Sequence, residues 1–432
     1  MDVDRREPSG GGSLETPSRR RVPPILILVS AVLVDMIGFG IVIPLLPFYA
    51  EEFGATPFVV TLLIASYSAT QLLATPLWGR MSDRRGRRRL FIAGLTASAL
   101  SHLLYGFSHS LPMLFLSRMT AGAAGGTISI AHAITADTTS AENRARGLGW
   151  IGAAAGLGVM LGPPIGGYFS SIWGLGAPGF IAAGLTALNA VAAYFFLPES
   201  RTRSAAAGFA SGEAATLRGW LATMTRHPVA LLMGVYFLAI SSFSAHFSVL
   251  ALYLERMFAF DGEMVGYVMA LSGGCTVIVR GGILGWLVGR IGEANTARVG
   301  VVVLGLGVMV VPLMESPWWL ALAAPLWAFG AGTLFPALAT MVSRATDEHS
   351  QGSVLGGSQV VGGLGRVVGP LWAGALFQSA GIAIPFWVGV GAIAGAAVLA
   401  TGLPPASQLR QGVAPATLAR AEAEEATSDA VV

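Results

Sequence analysis

Charged residues are scarce in this sequence, and lysine is absent altogether. Asp, Glu and Arg together make up 11% of its 432 residues, whereas soluble proteins contain about 25% charged residues. All 26 basic residues are arginine. Because so few charges are present to face water, the composition excludes an ordinary soluble protein.

Cysteine is almost absent as well. Cys275 is the only one, which excludes an internal disulfide and says little about the redox compartment. The sequence also lacks a Walker loop, a cluster with metal-ligand spacing and a nucleophile elbow, so neither ATP hydrolysis nor another enzymatic reaction is supported. We therefore predict a protein that is not an enzyme and that holds no metal or organic cofactor.

Long apolar runs are what the sequence has instead. Hydrophobic residues make up 54% of the chain, and 57 residues are glycine. A helix needs about 20 apolar residues to cross the hydrocarbon layer of a bilayer. We therefore predict an all-α membrane protein with twelve transmembrane helices. The predicted spans are 25–49, 58–79, 89–108, 112–136, 146–170, 176–197, 229–254, 263–288, 297–314, 317–342, 351–378 and 381–403.

The longest polar connection lies between the sixth and seventh spans and divides the chain into two halves. It is rich in Ser, Ala, Gly and Arg. The predicted organisation is a disordered amino-terminal tail (1–24), a six-helix bundle (25–197), a linker (198–227), a second six-helix bundle (228–403) and a carboxy-terminal tail (404–432).

Arginine is distributed unevenly between the two sides of the predicted membrane. If the amino terminus is cytoplasmic, the even-numbered loops and both tails hold 22 arginines, while the odd-numbered loops hold only Arg256. Cytoplasmic loops typically carry such an excess of basic residues. We therefore predict that both tails are cytoplasmic, that the lipid bilayer rather than nucleic acid is the partner of these charges, and that the protein lies in a plasma membrane, most simply a bacterial inner membrane. The remaining charges of the odd-numbered loops are acidic, at Glu51, Glu52, Glu255, Asp261, Glu263 and Glu315.

The two halves share an internal repeat. A shift of 206 or 207 positions aligns GLGVMLGPPIGG (156–167) with GLGRVVGPLWAG (363–374). The same shift places Gly79, Arg84 and Gly86 on Gly285, Arg290 and Gly292, whereas Asp83 falls on Gly289. Parallel repeats of this kind are typical of transporters whose substrate site lies near the bilayer midplane between the halves.

Four stretches resemble motifs of a known family. GRMSDRRGRR (79–88) resembles the loop motif G-x-x-x-D-R-x-G-R-R/K between helices 2 and 3 of the major facilitator superfamily. FLSRMTAGAAGG (115–126) is similar to that family's helix 4 motif, GLGVMLGPPIGG to its helix 5 antiporter motif, and DMIGFGIVIPLLP (35–47) to the helix 1 motif of its drug:proton antiporters. The resemblance spans the chain and points to the tetracycline-exporter-like branch. It implies two pseudo-symmetric six-helix bundles that carry a substrate by alternating access.

The resemblance also implies a conformational latch on the side of the arginine-rich loops. The carboxylate of Asp83 is expected near the amino end of span 11, around 350–353, where free N–H groups and the helix dipole favour an anion. Arg87 is expected to reach Asp137 at the end of span 4. The alternative, in which these charges only set the topology, leaves the acid unexplained. The implied latch residues are Gly79, Asp83, Arg84, Gly86, Arg87 and Asp137.

Span 5 carries the residues that the resemblance assigns to the antiporter motif. Small residues let helices approach closely in lipid, and proline bends a span. A packing role therefore follows from the residue types, while a role in antiport is implied by the resemblance alone. The residues are Gly158, Gly162, Pro163, Gly166 and Gly167.

A few charges lie inside the spans, where they are costly and usually mark a pathway or a pair. Asp35 is the only acid deep within a span, so it is the predicted proton site, with the proton as coupling ion. We predict that Asp35 alternates between binding a proton and pairing with Arg118 of span 4; a permanent structural pair is the alternative. Arg280 and Arg366 have no deep acid left to pair with. They either extend toward water or backbone carbonyls, or they form an anion site.

Further candidates for substrate binding are aromatic, hydrogen-bonding or basic side chains on the spans expected to line the cavity. For each of them a packing role remains the alternative. The candidates are Phe39, Tyr67, Gln71, Phe243, His246, Arg280, Trp327, Phe335, Gln359 and Arg366.

These features predict a secondary transporter, a proton-coupled antiporter that exports small organic compounds or drugs and works as a monomer. Two other functions remain open. One is an organic anion or metabolite carrier that uses the buried arginines, and the other is a transporter-like sensor without flux. Dependence on Asp35 would distinguish the first function from these two.

Overall fold

The computed structural model describes residues 24–199, 225, 227–346 and 351–405, so most of the predicted linker and tails lies outside it. The twelve predicted spans are helical, and we number them α1 to α12. The first half contains α1 (Pro24–Val42, continued by Leu46–Glu52), α2 (Pro57–Arg85), α3 (Arg87–Gly106), α4 (Leu111–Ala124 and Thr127–Thr138), α5 (Ala141–Trp173) and α6 (Ala177–Phe196).

The second half repeats this arrangement. A π-helical turn, Val279–Ile283, interrupts α8, and the following helix Leu284–Val310 contains both the end of α8 and the whole of α9, because the chain turns at Gly292. The remaining helices are α7 (Val229–Phe258), the start of α8 (Gly262–Ile278), α10 (Leu320–Arg344), α11 (Gln351–Ser379) and α12 (Ile384–Thr401).

Nine stretches of the described chain are long and apolar enough to cross a membrane. One of them, Gly262–Leu313, makes two crossings because of the turn at Gly292. The other two crossings are α3, which opens with three arginines, and α4, which is interrupted between Ala124 and Thr127. The protein is therefore a twelve-helix membrane protein, as its apolar runs predict.

Glycine forms the turn at the same place in both halves. Gly86 (φ 97°) separates α2 from α3, and Gly292 (φ 76°) separates α8 from α9. Residues with a side chain are strained at such positive φ values, whereas glycine is not. Because the two positions lie 206 residues apart in the repeat, both halves form this loop in the same way.

Glycine also brings α5 close to α1 in the first half. A Cβ atom at Gly158 would lie 2.5 Å from Cβ of Met36, and one at Gly162 would lie 2.6 Å from the backbone of Gly40. Gly166 continues this face one turn later. The packing role predicted for the antiporter-motif glycines is therefore confirmed.

The second half uses its repeat in the same manner. A Cβ atom at Gly365 of α11 would overlap the side chain of Ile240 on α7, and one at Gly369 would overlap the carbonyl oxygen of Ser241. Each half thus has one pair of helices, α1 with α5 and α7 with α11, held at backbone distance by small residues.

The two halves meet on the side of the membrane that carries the acidic loops, which we call the acidic side. Here α5 contacts α8. A Cβ atom at Gly167 would lie 2.7 Å from Cα of Glu263, and one at Gly266 would lie 2.7 Å from the carbonyl oxygen of Pro163. The motif residues of α5 therefore serve two faces, one toward α1 and one toward the other half.

Two polar contacts also join the halves on the acidic side. The backbone N–H of Phe58 on α2 donates to Oε1 of Gln378 on α11 at 3.2 Å. Nη2 of Arg256 on α7 lies 3.4 Å from Oε1 of Glu51 at the end of α1. Together with the glycine contacts, they close this side of the molecule.

Toward the opposite side, which carries the loop 79–90 and which we call the Arg-rich side, the same helix faces separate. By helical spacing, the α5 face that contains Met160 and Pro163 continues through Gly156 and Gly152. A Cβ atom at either glycine would have no neighbour within 4 Å in the described parts of the chain. The molecule therefore opens toward the Arg-rich side. The same holds on the facing helices for Gly281, Gly285 and Gly356.

Candidate functional site in the central cavity

A cavity of about 390 Å³ lies between the two halves. Helices α1, α2 and α4 of the first half and α7, α8 and α11 of the second half form its walls, which are mostly apolar. Five of the predicted substrate-binding residues line it, and so does Arg118. The lining residues are Met36, Phe39, Ile43, Leu46, Pro47, Ile64, Tyr67, Ser68, Gln71, Arg118, Ile128, Ile240, Phe243, Ser244, Phe247, Ser248, Ala251, Met269 and Arg366.

A smaller polar pocket adjoins the cavity and contains Asp35. The carboxylate is 5% exposed and accepts two hydrogen bonds, from Oγ of Ser98 to Oδ1 at 3.0 Å and from Oγ1 of Thr127 to Oδ2 at 2.8 Å. Phe39 and Tyr67 line both spaces, so the pocket is a side chamber of the cavity. The predicted proton site therefore lies next to the predicted substrate site.

Arg118 lines the same pocket but does not pair with the acid. Within the described residues, no ion pair joins Arg118 to Asp35. The guanidinium instead lies 5.2 Å from the ring centroid of Tyr105, and its Nε donates to Oγ of Ser117 at 3.4 Å. Because the hydroxyls of Ser98 and Thr127 hold the carboxylate, the ion pair of the alternating hypothesis is not formed in this conformation, and a permanent structural pair is ruled out for it.

Three aromatic candidates lie behind the cavity wall. His246 is buried among other rings, 4.7 Å from Trp327 between centroids, and Nε1 of Trp327 donates to Oγ of Ser272 at 2.6 Å. Phe335 packs edge-on against Phe243, 5.7 Å between centroids. These three side chains support the second bundle and do not line the cavity.

Arg280 and Gln359 are also absent from the described cavity lining. Arg280 lies in the π-helical turn of α8, and both side chains are exposed. Their positions on α8 and α11 place them toward the open Arg-rich side. Of the two arginines without a deep acid, Arg366 alone is a cavity residue in this conformation.

Several cavity residues were not predicted, and helical spacing would have found some of them. Ile240, Ser244, Phe247 and Ser248 share the α7 face of Phe243, because side chains three and four residues apart lie on one face of a helix. The serines and the alkyl side chains carried no chemical signal of their own. One confirmed member of a helix face therefore predicts its neighbours.

The latch residues come together in part at the Arg-rich end of the first half. Nε of Arg87 lies 2.9 Å from Oδ2 of Asp137, which confirms the contact expected for this pair. Nη2 of Arg87 also lies 3.8 Å from Oδ1 of Asp83. Arg84 is exposed, and a Cβ atom at Gly79 would meet no described atom within 4 Å.

The contact expected between Asp83 and the start of α11 concerns residues outside the described set. Residue 350 and the side chains of residues 351–353 are not described. The latch function of Asp83 therefore stays a prediction.

Glu199 belongs to the same cluster and was not predicted. Its Oε1 accepts hydrogen bonds from the backbone N–H groups of Arg87 at 3.1 Å and Arg88 at 3.3 Å. A carboxylate at this place satisfies free donors at the start of α3 and matches the positive end of the helix dipole. Glu199 thus joins the end of α6 to the loop that carries the latch residues.

Two repeated helical bundles around a shared central cavity, with a buried carboxylate beside it, define a membrane carrier of small molecules. The chain belongs to the major facilitator superfamily, whose model matches residues 28–370 and 281–427.

Similar proteins include exporters of antibiotics. The chain is 30% identical to the class B tetracycline resistance protein of Escherichia coli over 361 residues, 83% of this chain and 88% of that protein. It is 26% identical to multidrug resistance protein 2 of Bacillus subtilis, covering 82% and 88% of the two chains.

Solved structures show the same architecture. The human organic anion transporter MFSD10 (TETRAN) superposes with a TM-score of 0.68 at 26% identity, covering 89% of this chain and all of that one. A mutant of the nucleoside transporter NupG superposes with a TM-score of 0.74 at 14% identity, covering 88% and 99%. The second likeness is one of fold alone.

Proposed function

We propose that the protein exports small organic compounds in exchange for protons. The observation that carries this proposal is the buried carboxylate of Asp35, which lies in a polar side chamber of the central cavity. The tetracycline and multidrug resistance proteins similar to this chain support the export of drugs.

The distribution of arginine supports an orientation with the Arg-rich side in the cytoplasm. In that orientation the conformation described above is open to the cytoplasm and closed to the outside. This is the conformation in which an exporter takes up its substrate, and it is the state expected to release a proton into the cell. The membrane is the plasma membrane of the cell.

Proton binding at Asp35 has a direct physical consequence. A buried charge has lost its hydration, and protonation removes that cost. The ionised carboxylate accepts hydrogen bonds from Ser98 and Thr127, and the protonated form loses part of this acceptor capacity. Protonation therefore loosens α1 from α3 and α4, which hold these two hydroxyls.

Arg118 is the second residue of the proposed coupling. It lines the chamber of Asp35 and carries up to five donors in a fixed planar geometry. In the outward-open state we expect the ionised carboxylate to exchange its hydroxyl partners for this guanidinium. The Arg87 and Asp137 pair would stabilise one of the two states from the cytoplasmic end.

The test uses everted membrane vesicles with an acidic lumen and a dye that reports the pH gradient. Addition of tetracycline, or of another compound from a drug panel, should dissipate the gradient in vesicles containing the wild-type protein. Asp35→Asn should reduce this exchange at least about tenfold because the neutral amide binds no proton, while the compound still binds to purified protein. The matched control is Glu315→Gln, which changes an exposed acid outside the membrane.

Unaltered proton exchange in Asp35→Asn would sink the proposed coupling. Proton-independent movement of organic acids would favour an anion or metabolite carrier. A complete lack of flux for every compound, with the protein folded, would favour a transporter-like sensor.

A further inference from the structure

Two charged side chains lie on the described lining of the central cavity, and both are arginines. Arg118 comes from α4 of the first half and Arg366 from α11 of the second half. Tyr67, which lies on the same wall, is within electrostatic reach of both. The two guanidinium groups therefore act on one common space.

Arg118 is a buried cation with unused hydrogen-bonding capacity. Its side chain is 3% exposed, and its Nη2 atom is buried without a hydrogen-bond partner in the described part of the protein. The nearest acid of the first half, Asp35, is occupied by Ser98 and Thr127. An unpaired buried donor on a cation is costly, so this site is incomplete as it stands.

Arg366 is not required by the packing of its helix. The internal repeat places it on Val159 of α5, which occupies the equivalent position in GLGVMLGPPIGG. The side chain is half-buried, and the described residues provide no ion pair for it. A position where the other half has valine carries an arginine that faces the cavity.

We propose that the cavity binds organic acids, with the anionic head held between Arg118 and Arg366. This inference rests on the transport function proposed above and names its substrate class. Arginine matches the geometry of a carboxylate with two parallel hydrogen bonds, and the apolar walls weaken screening by water. An excess of two cations disfavours a simple organic cation in the same space.

The remaining walls define the rest of the ligand. Phe39, Phe243 and Phe247 line the cavity together with Met36 and Met269, so the body of the ligand is apolar and aromatic. A cavity of about 390 Å³ lies within the range of small-molecule sites. The predicted substrate is thus an amphipathic acid of low molecular mass.

The experiment compares three probes that share one ring and differ in charge, namely 1-naphthaleneacetate, 1-naphthaleneacetamide and 1-naphthaleneethylamine. Their affinities are measured by equilibrium dialysis against the full chain in lipid nanodiscs at neutral pH. The wild-type protein should bind the acid at least about tenfold more tightly than the amide or the amine, as expected for a charge-assisted hydrogen bond. This comparison needs no variant and does not depend on the folding of one.

Variants then locate the site. Arg366→Gln should weaken binding of the acid about tenfold and remove the preference over the amide, while Arg366→Lys should keep part of it. The matched control is Arg280→Gln, which removes an arginine outside the cavity lining and should leave all three affinities unchanged.

Equal affinities for the three probes, a preference for the amine, or failure of the acid to bind at millimolar concentration would each overturn the proposal. So would an unchanged preference in Arg366→Gln. The outcome is separate from that of proton exchange: acid preference without proton-driven flux supports the site and contradicts the transport function. Proton-driven flux of drugs with no acid preference does the reverse.

Discussion

The two halves of the molecule make the same tie between helices with opposite charges. In the first half, Arg87 at the start of α3 pairs with Asp137 at the end of α4. In the second half, Glu293 at the start of α9 pairs with Arg344 at the end of α10, with Nη1 of the arginine 2.6 Å from Oε1 of the glutamate. The repeat shift of 206 or 207 residues relates the members of the two pairs. What the halves share is therefore the pair, not the sign of the charge at either position.

The final helix of each half is also held by an arginine. Nη2 of Arg88 donates to the carbonyl oxygen of Tyr194 near the end of α6. Arg298 of α9 donates to the carbonyl oxygens of Ala400 at 3.0 Å and Leu403 at 2.6 Å, at the end of α12. Cations at a helix carboxyl end satisfy free carbonyls and match the dipole. The scaffold is repeated in function even where the residues differ.

The interiors of the halves do not share their chemistry. The first half contains the polar chamber of Asp35, whereas the repeat places Ser241 and Ser242 at that level of α7. The second half is filled by the aromatic group of His246, Trp327 and Phe386. The comparison teaches that one half carries the proposed proton chemistry while the other supplies an arginine and apolar walls.

The largest expected effect concerns the glycine contacts that both halves share. Gly162→Val and Gly369→Val should each lower the free energy of unfolding by at least about 3 kcal/mol, because the added side chain has no space against α1 or α7. Gly156→Val is the control, since a Cβ atom there meets no described neighbour within 4 Å. Thermal unfolding in detergent is the measurement. If only one half responds, the equivalence of the halves is broken.

The exchanged ion pairs should give a smaller and unequal effect. Arg344→Gln leaves Glu293, whose side chain is 9% exposed, without its cation, and should cost about 3 kcal/mol. Asp137→Asn should cost about 1 kcal/mol, because the pair in the first half is more exposed to water. Both values come from the same unfolding measurement.

A double charge exchange sharpens this comparison. Glu293→Arg combined with Arg344→Glu should recover most of the stability lost in either single change, since it imitates the arrangement of the first half. Non-recovery in the double variant would mean that the sign at each position matters in its own right.

The smallest effect is expected for the ion pair between the halves on the acidic side. Glu51→Gln should leave stability within about 1 kcal/mol of wild type, because the contact with Arg256 is partly exposed. It should nevertheless favour opening of the acidic side. A cysteine at Ser170, in a Cys275→Ser background, should then react about threefold faster with an impermeant maleimide, which corresponds to roughly 0.6 kcal/mol. Glu315→Gln is the control, and an equal rate increase there would contradict the role of the pair.

The course of the chain was largely predictable because apolar length and arginine distribution are direct signals of membrane crossing. The helix ends were less so. α2 continues to Arg85 and α5 begins at Ala141, beyond the predicted spans 58–79 and 146–170. Hydrophobic length shows only the part of a helix that lies in lipid, whereas these helices extend past it into water.

The site was predictable only in part, because residue type does not reveal which way a helix face points. Phe243 and Arg366 face the cavity, whereas His246, three residues further along α7, faces the core. The partners of Asp35 were missed for another reason. Ser98 and Thr127 are among many hydroxyl residues in the spans, and only the packing of α1 against α3 and α4 selects these two.

The contact between α5 and α8 ends at Met160, where a Cβ atom at Gly273 would lie 2.9 Å from the methionine Cα. On the acidic side of this point the helices touch at backbone distance, and on the other side two glycines of α5, at 152 and 156, face open space. The point therefore works as a fulcrum with a smooth surface on both arms. Rocking the halves replaces one glycine contact by another without any large side chain having to change its rotamer.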